Sequence, residues 1–436
     1  MKRGDISNMR KIRYSCVIVF IIIFLPIFLN LEASDLNKSS NSKSIRTIQS
    51  NPSVNIEVNP NIELMSILLS INPYTAWFEN FGVPLNSNYS YQDDINEWFK
   101  EERFHQAVLD IWELCKGKGV TFPLEFILHF SPPPNLILIY NYTEDLLPSG
   151  GEMRLNLTAN HLRDFVNDSN FNDFFVAHKS FYNSIVSNFT SLNNWNDTLL
   201  TLENFFGLSK SNYTIVLAPY IFFGGGFGPY LEDQNDTHSY AIITTGRIQN
   251  NMPNFGNLLS TKWLVLHEFA HSFINPIVDA NMDQLDRYSD LYEPVRDNLT
   301  QYGYSNWQCM IYETLVRAFT AWALTEEYGE EKGNEILDYE ESYGFYFIRD
   351  IYDAYFEYMD KPNQYSSFDH FIPEIQNVLA RVLSQISETS NLSQTTENTS
   401  LSQTQVISKP SYFVFFGEFL AILVFLTILC KRKQLC

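Results

Sequence analysis

Three residues stand out by type and spacing. His267, Glu268 and His271 form the pattern H-E-x-x-H within TKWLVLHEFAHSFINP, residues 261–276. Residues four apart lie on one face of a helix, about one turn from each other, so both imidazoles can reach a single metal ion. Glu268, beside the first histidine, can then address a water held by the metal instead of the metal itself. The chain has 8 histidines in 436 residues, a content at which chance seldom produces the pattern. The expected chemistry is hydrolysis by a zinc-activated water with Glu268 as general base, using one Zn2+ per chain.

A hydrolytic zinc takes three protein ligands and keeps a fourth position open. One zincin pattern places a glycine and a histidine at fixed steps after the second histidine, where this chain has Ile274 and Ile277. A glutamate on a downstream helix is the other common solution. Glu313 is the candidate, because it and Arg317 are the only charged residues between Cys309 and Leu324. Asp279, Asp283, Asp286, Asp290 and Glu293 are the alternatives. Charge developing on the substrate carbonyl needs a further donor. Arg317, Tyr312, Tyr304 and His238 are candidates for that role or for supporting the ligands, with Tyr302 and Tyr240 as further possibilities. The remaining histidines, His105, His129, His161, His178 and His370, are assigned structural or surface roles.

The elements that position these residues can be read from apolar periodicity. A strand opens near Val54 and a helix spans Ile62–Ile71. Tyr91–Gly117 follows the helical period, and Phe122–Phe130 and Asn135–Tyr142 look like strands separated by Ser131–Pro134. Helices are expected at His161–Val166, Phe171–Asn188 and Trp195–Phe206. Two strands, Tyr213–Phe223 and His238–Ile248, flank a glycine loop containing Gly224, Gly225, Gly226 and Gly228. Such glycines permit unusual backbone angles or close approach to a ligand, which makes this loop a candidate wall of a substrate cleft. The metal helix is expected to stop at Asn275-Pro276, because proline cannot continue it. Residues 279–298 read as an acidic loop. Helices at Trp307–Tyr328, Phe345–Met359 and Phe368–Ile386 complete an α+β chain with a mixed N-terminal half and a helical C-terminal half.

HEFAHSFINP, the Gly224–Pro229 run and the downstream YETLVRAF together resemble an uncharacterised, domain-of-unknown-function family of exported zincin-like proteins. More broadly they are similar to the glutamate zincins, which are metallopeptidases. The resemblance covers about residues 54–386 and implies a zincin-like fold with zinc on His267, His271 and Glu313. It also implies that Glu268 acts as base, but it does not supply a substrate.

Both ends of the chain carry targeting features. Five basic residues precede an apolar run from Cys16 to Leu31, with Ala33 and Ser34 beyond it, so residues 1–33 read as a signal peptide, or as a signal anchor if uncleaved. Residues 34–53 are a polar linker. After the catalytic domain at 54–386, residues 387–410 are a Ser/Thr/Asn-rich stalk. Residues 411–431 form an apolar segment able to cross a bilayer, and 432–436 a short basic tail. The same arrangement also fits a sorting signal removed on anchoring. The expectation is a single-pass protein with its N-terminus outside, on the extracellular face of the cell membrane. Its substrate would be a peptide or a cell-envelope polymer. A formal charge of −21 argues against nucleic acid as a partner. N-x-S/T triplets recur from Asn37 to Asn398 as candidate glycan sites. Cys115 and Cys309 are the only cysteines outside the terminal segments, so at most one disulfide can form there. The alternative function is an inactive zinc-binding surface or adhesion glycoprotein. The plainest reading is an ordinary helix with chance histidines.

Overall fold

The computed structural model describes residues 52–400 apart from 74–87, 117–118, 120, 145, 148–149, 222–224 and 234–235. The chain is α+β, with strands in the middle and a helical C-terminal half. Strand β1 (Val54–Glu57) leads into α1 (Pro60–Ile71), which Asn59 caps by accepting from the amides of Asn61 and Ile62. An N-terminal helical layer follows: α2 (Ser90–Trp98), α3 (Gln106–Cys115), α4 (Thr121–Leu128), α5 (Gly151–Asp168), α6 (Phe171–Ala177), α7 (Lys179–Thr190) and α8 (Trp195–Phe206).

The sheet comes next, built from β2 (Asn212–Ala218), β3 (Gly226–Phe227), β4 (Tyr230–Asp233) and β5 (Asp236–Thr244) together with β1. Its order is β1-β2-β5-β3, with β4 also pairing β5. Strands β1, β2 and β5 run parallel, whereas β3 and β4 pair with β5 antiparallel. Strand β2 is buried at every position after Asn212, as expected of a parallel strand covered on both faces. A short hairpin, β6 (Arg247–Gln249) with β7 (Met252–Asn254), leads to α9 (Leu258–Leu285), the helix of the H-E-x-x-H motif. A 3-10 segment (Asp286–Val295) and α10 (Arg296–Gln301) connect it to α11 (Trp307–Tyr328), α12 (Glu330–Tyr343), α13 (Ile348–Asp360) and α14 (Ile372–Ser400).

Aromatic packing fixes α8 and α13 against the two central helices. Phe206 stacks on Phe273 of α9 at 4.6 Å and meets Phe319 of α11 at 4.9 Å. Phe205 contacts Phe319, Trp322 and Tyr355 at 4.7–5.0 Å. Each such ring pair adds about 0.5–1.5 kcal/mol beyond its burial.

Several expectations are corrected. Residues 121–128 are helical, not a strand: the apolar run TFPLEFIL packs into the layer of α1 and α3, and a short apolar run has no period that separates helix from strand. Asn135–Tyr142 forms no strand and, among the described residues, makes one bridge, between Leu138 and Phe130. Tyr91–Gly117 is two helices, the second capped by His105, whose Nδ1 accepts from the Ala107 amide at 3.1 Å. Phe171–Asn188 likewise divides, at His178. The metal helix does not stop at Asn275-Pro276 but runs through Pro276 to Leu285. Burial of Ile277, Val278 and Leu285 offsets the hydrogen bond that proline cannot make. The acidic stretch after it is therefore helix and 3-10 turn, not open loop. Helix α12 was not foreseen at all, and α14 continues past Ile386 to Ser400. Cys115 is a buried free thiol, so it does not pair with Cys309. The expected signal peptide, most of the linker and the C-terminal anchor lie outside the described residues. Among those described, no helix is long and apolar enough to cross a membrane.

Candidate metal centre

Helix α9 starts at Asn257, whose side chain accepts from the Ser260 amide, and is buried continuously from Leu259 to Ile274. A helix buried all round has no solvated face for polar side chains, so its polar residues need partners inside the protein. His267 and His271 find theirs on α11. Their Nε2 atoms are 3.3 Å apart. Glu313 Oε1 lies 3.4 Å from His271 Nε2, and Glu313 Oε2 lies 3.6 Å from His267 Nε2.

These distances match one shared ion. Donors held tetrahedrally at about 2.0–2.2 Å from a zinc are themselves about 3.3–3.6 Å apart. Glu268 also brings an oxygen within 4.8 Å of a nitrogen from each histidine. A buried His-Glu-His group able to hold a metal ion therefore exists on α9, and Glu313 of α11 stands beside both histidines. His271 Nδ1 faces Asn275 Oδ1 at 3.2 Å, one turn further along α9. A ring N–H directed there leaves Nε2 as the electron-pair donor toward Glu313.

Burial sets the protonation of the group. It holds His267 well below the ordinary imidazole range, with His271 and the positive charge of Arg317 adding to the effect. It brings His271 down to about 4. Both rings are neutral at pH 7, the form that binds metal. Burial also pushes Glu313 up to about 7 against the pull of Arg317. Glu268 is driven well above the carboxylate range by burial and by the charge of Glu313. A divalent cation between these groups reverses the carboxylate shifts, because it binds the ionised form. The two carboxylate oxygens of Glu268 are buried and accept no hydrogen bond among the described residues.

Arg317 reaches the site from one turn beyond Glu313. Its Nε donates to Glu313 Oε2 at 2.9 Å, its Nη2 to the Tyr304 hydroxyl at 2.7 Å, and its Nη1 to Glu340 of α12. Tyr304 is held in turn by Tyr292, whose hydroxyl donates to the Tyr304 carbonyl at 2.7 Å. Burial pushes Glu340 above the usual carboxylate range, and Arg317 pulls it back.

The glycine segment packs directly on Glu268. A Cβ on Gly228 would sit 2.0 Å from the Glu268 carbonyl oxygen, and one on Gly226 would sit 3.0 Å from Glu268 Oε1. Only glycine lets β3 approach the metal helix this closely. Thr244 anchors the neighbouring Gly225, exchanging hydrogen bonds with its amide and carbonyl at 3.0 and 2.7 Å. Gly224 lies outside the described residues.

Other candidates fall elsewhere. His238 sits on β5 beside Thr214 and stacks on Tyr240, and roughly 15 Å of strand separates it from Ile243 beside Gly226. It is not part of the centre. Tyr312 donates to Asp279 and receives a hydrogen bond from Gln308 at 2.6 Å, so its hydroxyl is engaged two turns along α9 from His271. Asp279 is held by the same pair. Asp283, Asp286, Asp290 and Glu293 are exposed, unlike the buried donor set. Tyr302 packs against Tyr343 with tilted rings. His161 pairs with Asp110, and His178 with Asp94 and the Phe174 carbonyl. His129 faces the Tyr140 carbonyl, and His370 faces Ser366 and Ser367.

Two residues of the site escaped the sequence reading. Asn275 was visible in principle, four residues after His271. Glu340 was concealed in a helix whose buried face is Gly333, Ile336, Leu337 and Glu340, so a glycine and a carboxylate occupy half of its apolar positions.

The site is thus a buried His-Glu-His centre shared by two helices beside a small sheet. Residues 54–378 match the family described as a domain of unknown function, DUF4932, and the chain belongs to it. No curated protein and no solved structure matches the chain.

Proposed function

We propose that this chain is a zinc-dependent metallopeptidase of the glutamate-zincin type, acting outside the cell. One observation supports it above the others: the two imidazole Nε2 atoms, 3.3 Å apart, each face one carboxylate oxygen of Glu313 at 3.4–3.6 Å, beside a buried glutamate with unpartnered oxygens. His267, His271 and Glu313 would hold the ion. Zinc bound there would polarise the scissile carbonyl and make water a nucleophile near neutral pH.

The chain's own residues do the rest. Glu268 removes the proton from the attacking water and returns it to the leaving amine, a single carboxylate serving as base and then acid. Asn275 keeps the His271 ring in its binding orientation. Glu313 is oriented by Arg317. Edge strand β3, fixed to β5 and to the metal helix, offers backbone beside Glu268 for an extended substrate. Export is supported by the sequons, since Asn88, Asn141, Asn156, Asn167, Asn188, Asn196 and Asn212 are all exposed. Anchoring would rest on residues 411–431.

The test is zinc content and hydrolysis measured together on the full-length chain. About one zinc per chain is expected, with cleavage of a broad peptide library that Glu268→Gln abolishes while zinc is retained. Cleavage unaffected by Glu268→Gln would remove Glu268 from the role of base. A second reading, a zinc-binding surface protein without turnover, is favoured by the burial of Glu268, which is 0 % exposed beneath Gly226 and Gly228. Stoichiometric zinc with no cleavage of any peptide in the library would select it.

A further inference from the structure

We propose that Glu340 is a positioning residue of the metal centre, the counter-charge that lets Arg317 orient Glu313 without repelling the cation; the inference rests on the metal reading above. Arg317 Nε occupies Glu313 Oε2 at 2.9 Å. Glu313 Oε1 accepts no hydrogen bond among the described residues and faces His271 Nε2 at 3.4 Å. A planar guanidinium held this way fixes the carboxylate plane and turns one oxygen toward the ligand position. Glu313 thus keeps Oε1 free for an ion, while Oε2, 3.6 Å from His267 Nε2, is shared with Arg317.

The arrangement carries a penalty. A guanidinium is always ionised, and its repulsion of a divalent cation is strong where water is excluded. Glu340 answers that charge. It is fully buried, arrives from the separate helix α12, and contacts Arg317 Nη1 directly. The Tyr304 hydroxyl takes Nη2, and the Phe345 ring lies 4.6 Å from Cζ, so every nitrogen of the guanidinium has a partner and the group cannot swing away. An ion pair serving only to join α11 to α12 needs one carboxylate. Here one guanidinium holds two, and one of them keeps an oxygen toward the histidines.

Zinc affinity, measured by chelator competition on the full-length chain, tests the proposal. Glu340→Gln is expected to weaken zinc binding about 10–100-fold, the usual cost of losing a partner behind a ligand. Arg317→Gln combined with Glu340→Gln removes both charges and keeps a donor for Glu313, so it is expected to regain most of that loss. A merely structural pair predicts no such recovery. Unchanged affinity in Glu340→Gln, or a double variant no tighter than it, overturns the proposal. Should Glu340→Gln fail to fold, the double variant is compared with the wild type instead. Removing both charges together is expected to leave zinc affinity within a few-fold, and a loss of about 10–100-fold overturns the proposal. A wild-type chain that takes up no zinc sinks the metal reading and this inference together, whereas normal uptake with an unaffected Glu340→Gln sinks the inference alone.

Discussion

At the scale of the residue, burial decides protonation, and protonation decides what the site can bind. Glu313 stands at about 7 in the metal-free protein, so zinc has to displace its proton below that pH. The expected result is an affinity that falls about tenfold per pH unit below about 7, read by chelator competition from pH 5 to 8. Glu313→Gln should lose that slope along with most of the affinity. Glu63, away from the centre, allows a test of the same physics without metal. It is fully buried and pushed up to about 7 by desolvation, against a hydrogen bond from Tyr91. A carboxyl raised from 4.5 to about 7 favours its protonated form in the fold. The stability this gives is complete below pH 4.5 and is lost as pH rises through 7. The linkage is worth up to about 3 kcal/mol. Glu63→Gln, whose amide never ionises, should therefore gain stability over the wild type between pH 5 and 8 in urea unfolding. A difference independent of pH would exclude this account.

At the scale of the element, two features invert a local sequence rule. Pro276 lies inside α9, where proline costs about 3 kcal/mol relative to alanine. Pro276→Ala is expected to raise the unfolding free energy by about 1–3 kcal/mol, whereas a helix ending at Asn275 would show no gain. Gly333 sits where α12 crosses α11, and a Cβ there would lie 1.8 Å from Thr325 Oγ1. Gly333→Ala should destabilise the protein by about 1–3 kcal/mol through overpacking. It should also weaken zinc binding, since Glu340 rides on the displaced helix. Normal zinc affinity in a destabilised Gly333→Ala would separate α12 from the metal centre. The expected strand at 122–130 became α4 for the complementary reason: an apolar run is assigned by what it packs against.

At the scale of the whole molecule, the centre brings together two long helices of the buried core. The proposed ligands come from α9 and α11, and α12 would support them from outside. Zinc binding to the folded state alone should then stabilise the chain by about 2.7 kcal/mol at a free concentration of 100 Kd. A chelator should lower the thermal midpoint accordingly, and Glu313→Ala should make that midpoint indifferent to zinc. A wild-type midpoint unmoved by chelator would show that no ion contributes to the fold.

The sequence by itself determined which side chains share one helical face. Spacing put His267 and His271 one turn apart, and an apolar setting singled out Glu313, because both signals are local and survive any packing of the rest. It also gave the bounds of α8 and α11 to the residue, where the apolar period is strong. Only the tertiary structure decided which carboxylates face which. Asp279 went to Tyr312 and Gln308, His238 to the far end of β5, and Glu340 to Arg317, although nothing in the local pattern distinguishes these residues. The physical reason is that a buried charge is placed by its partner, and the partner is distant in the chain. Continuation of the metal helix through Pro276 has the same origin: burial on both sides outweighs a local rule that holds for an isolated helix.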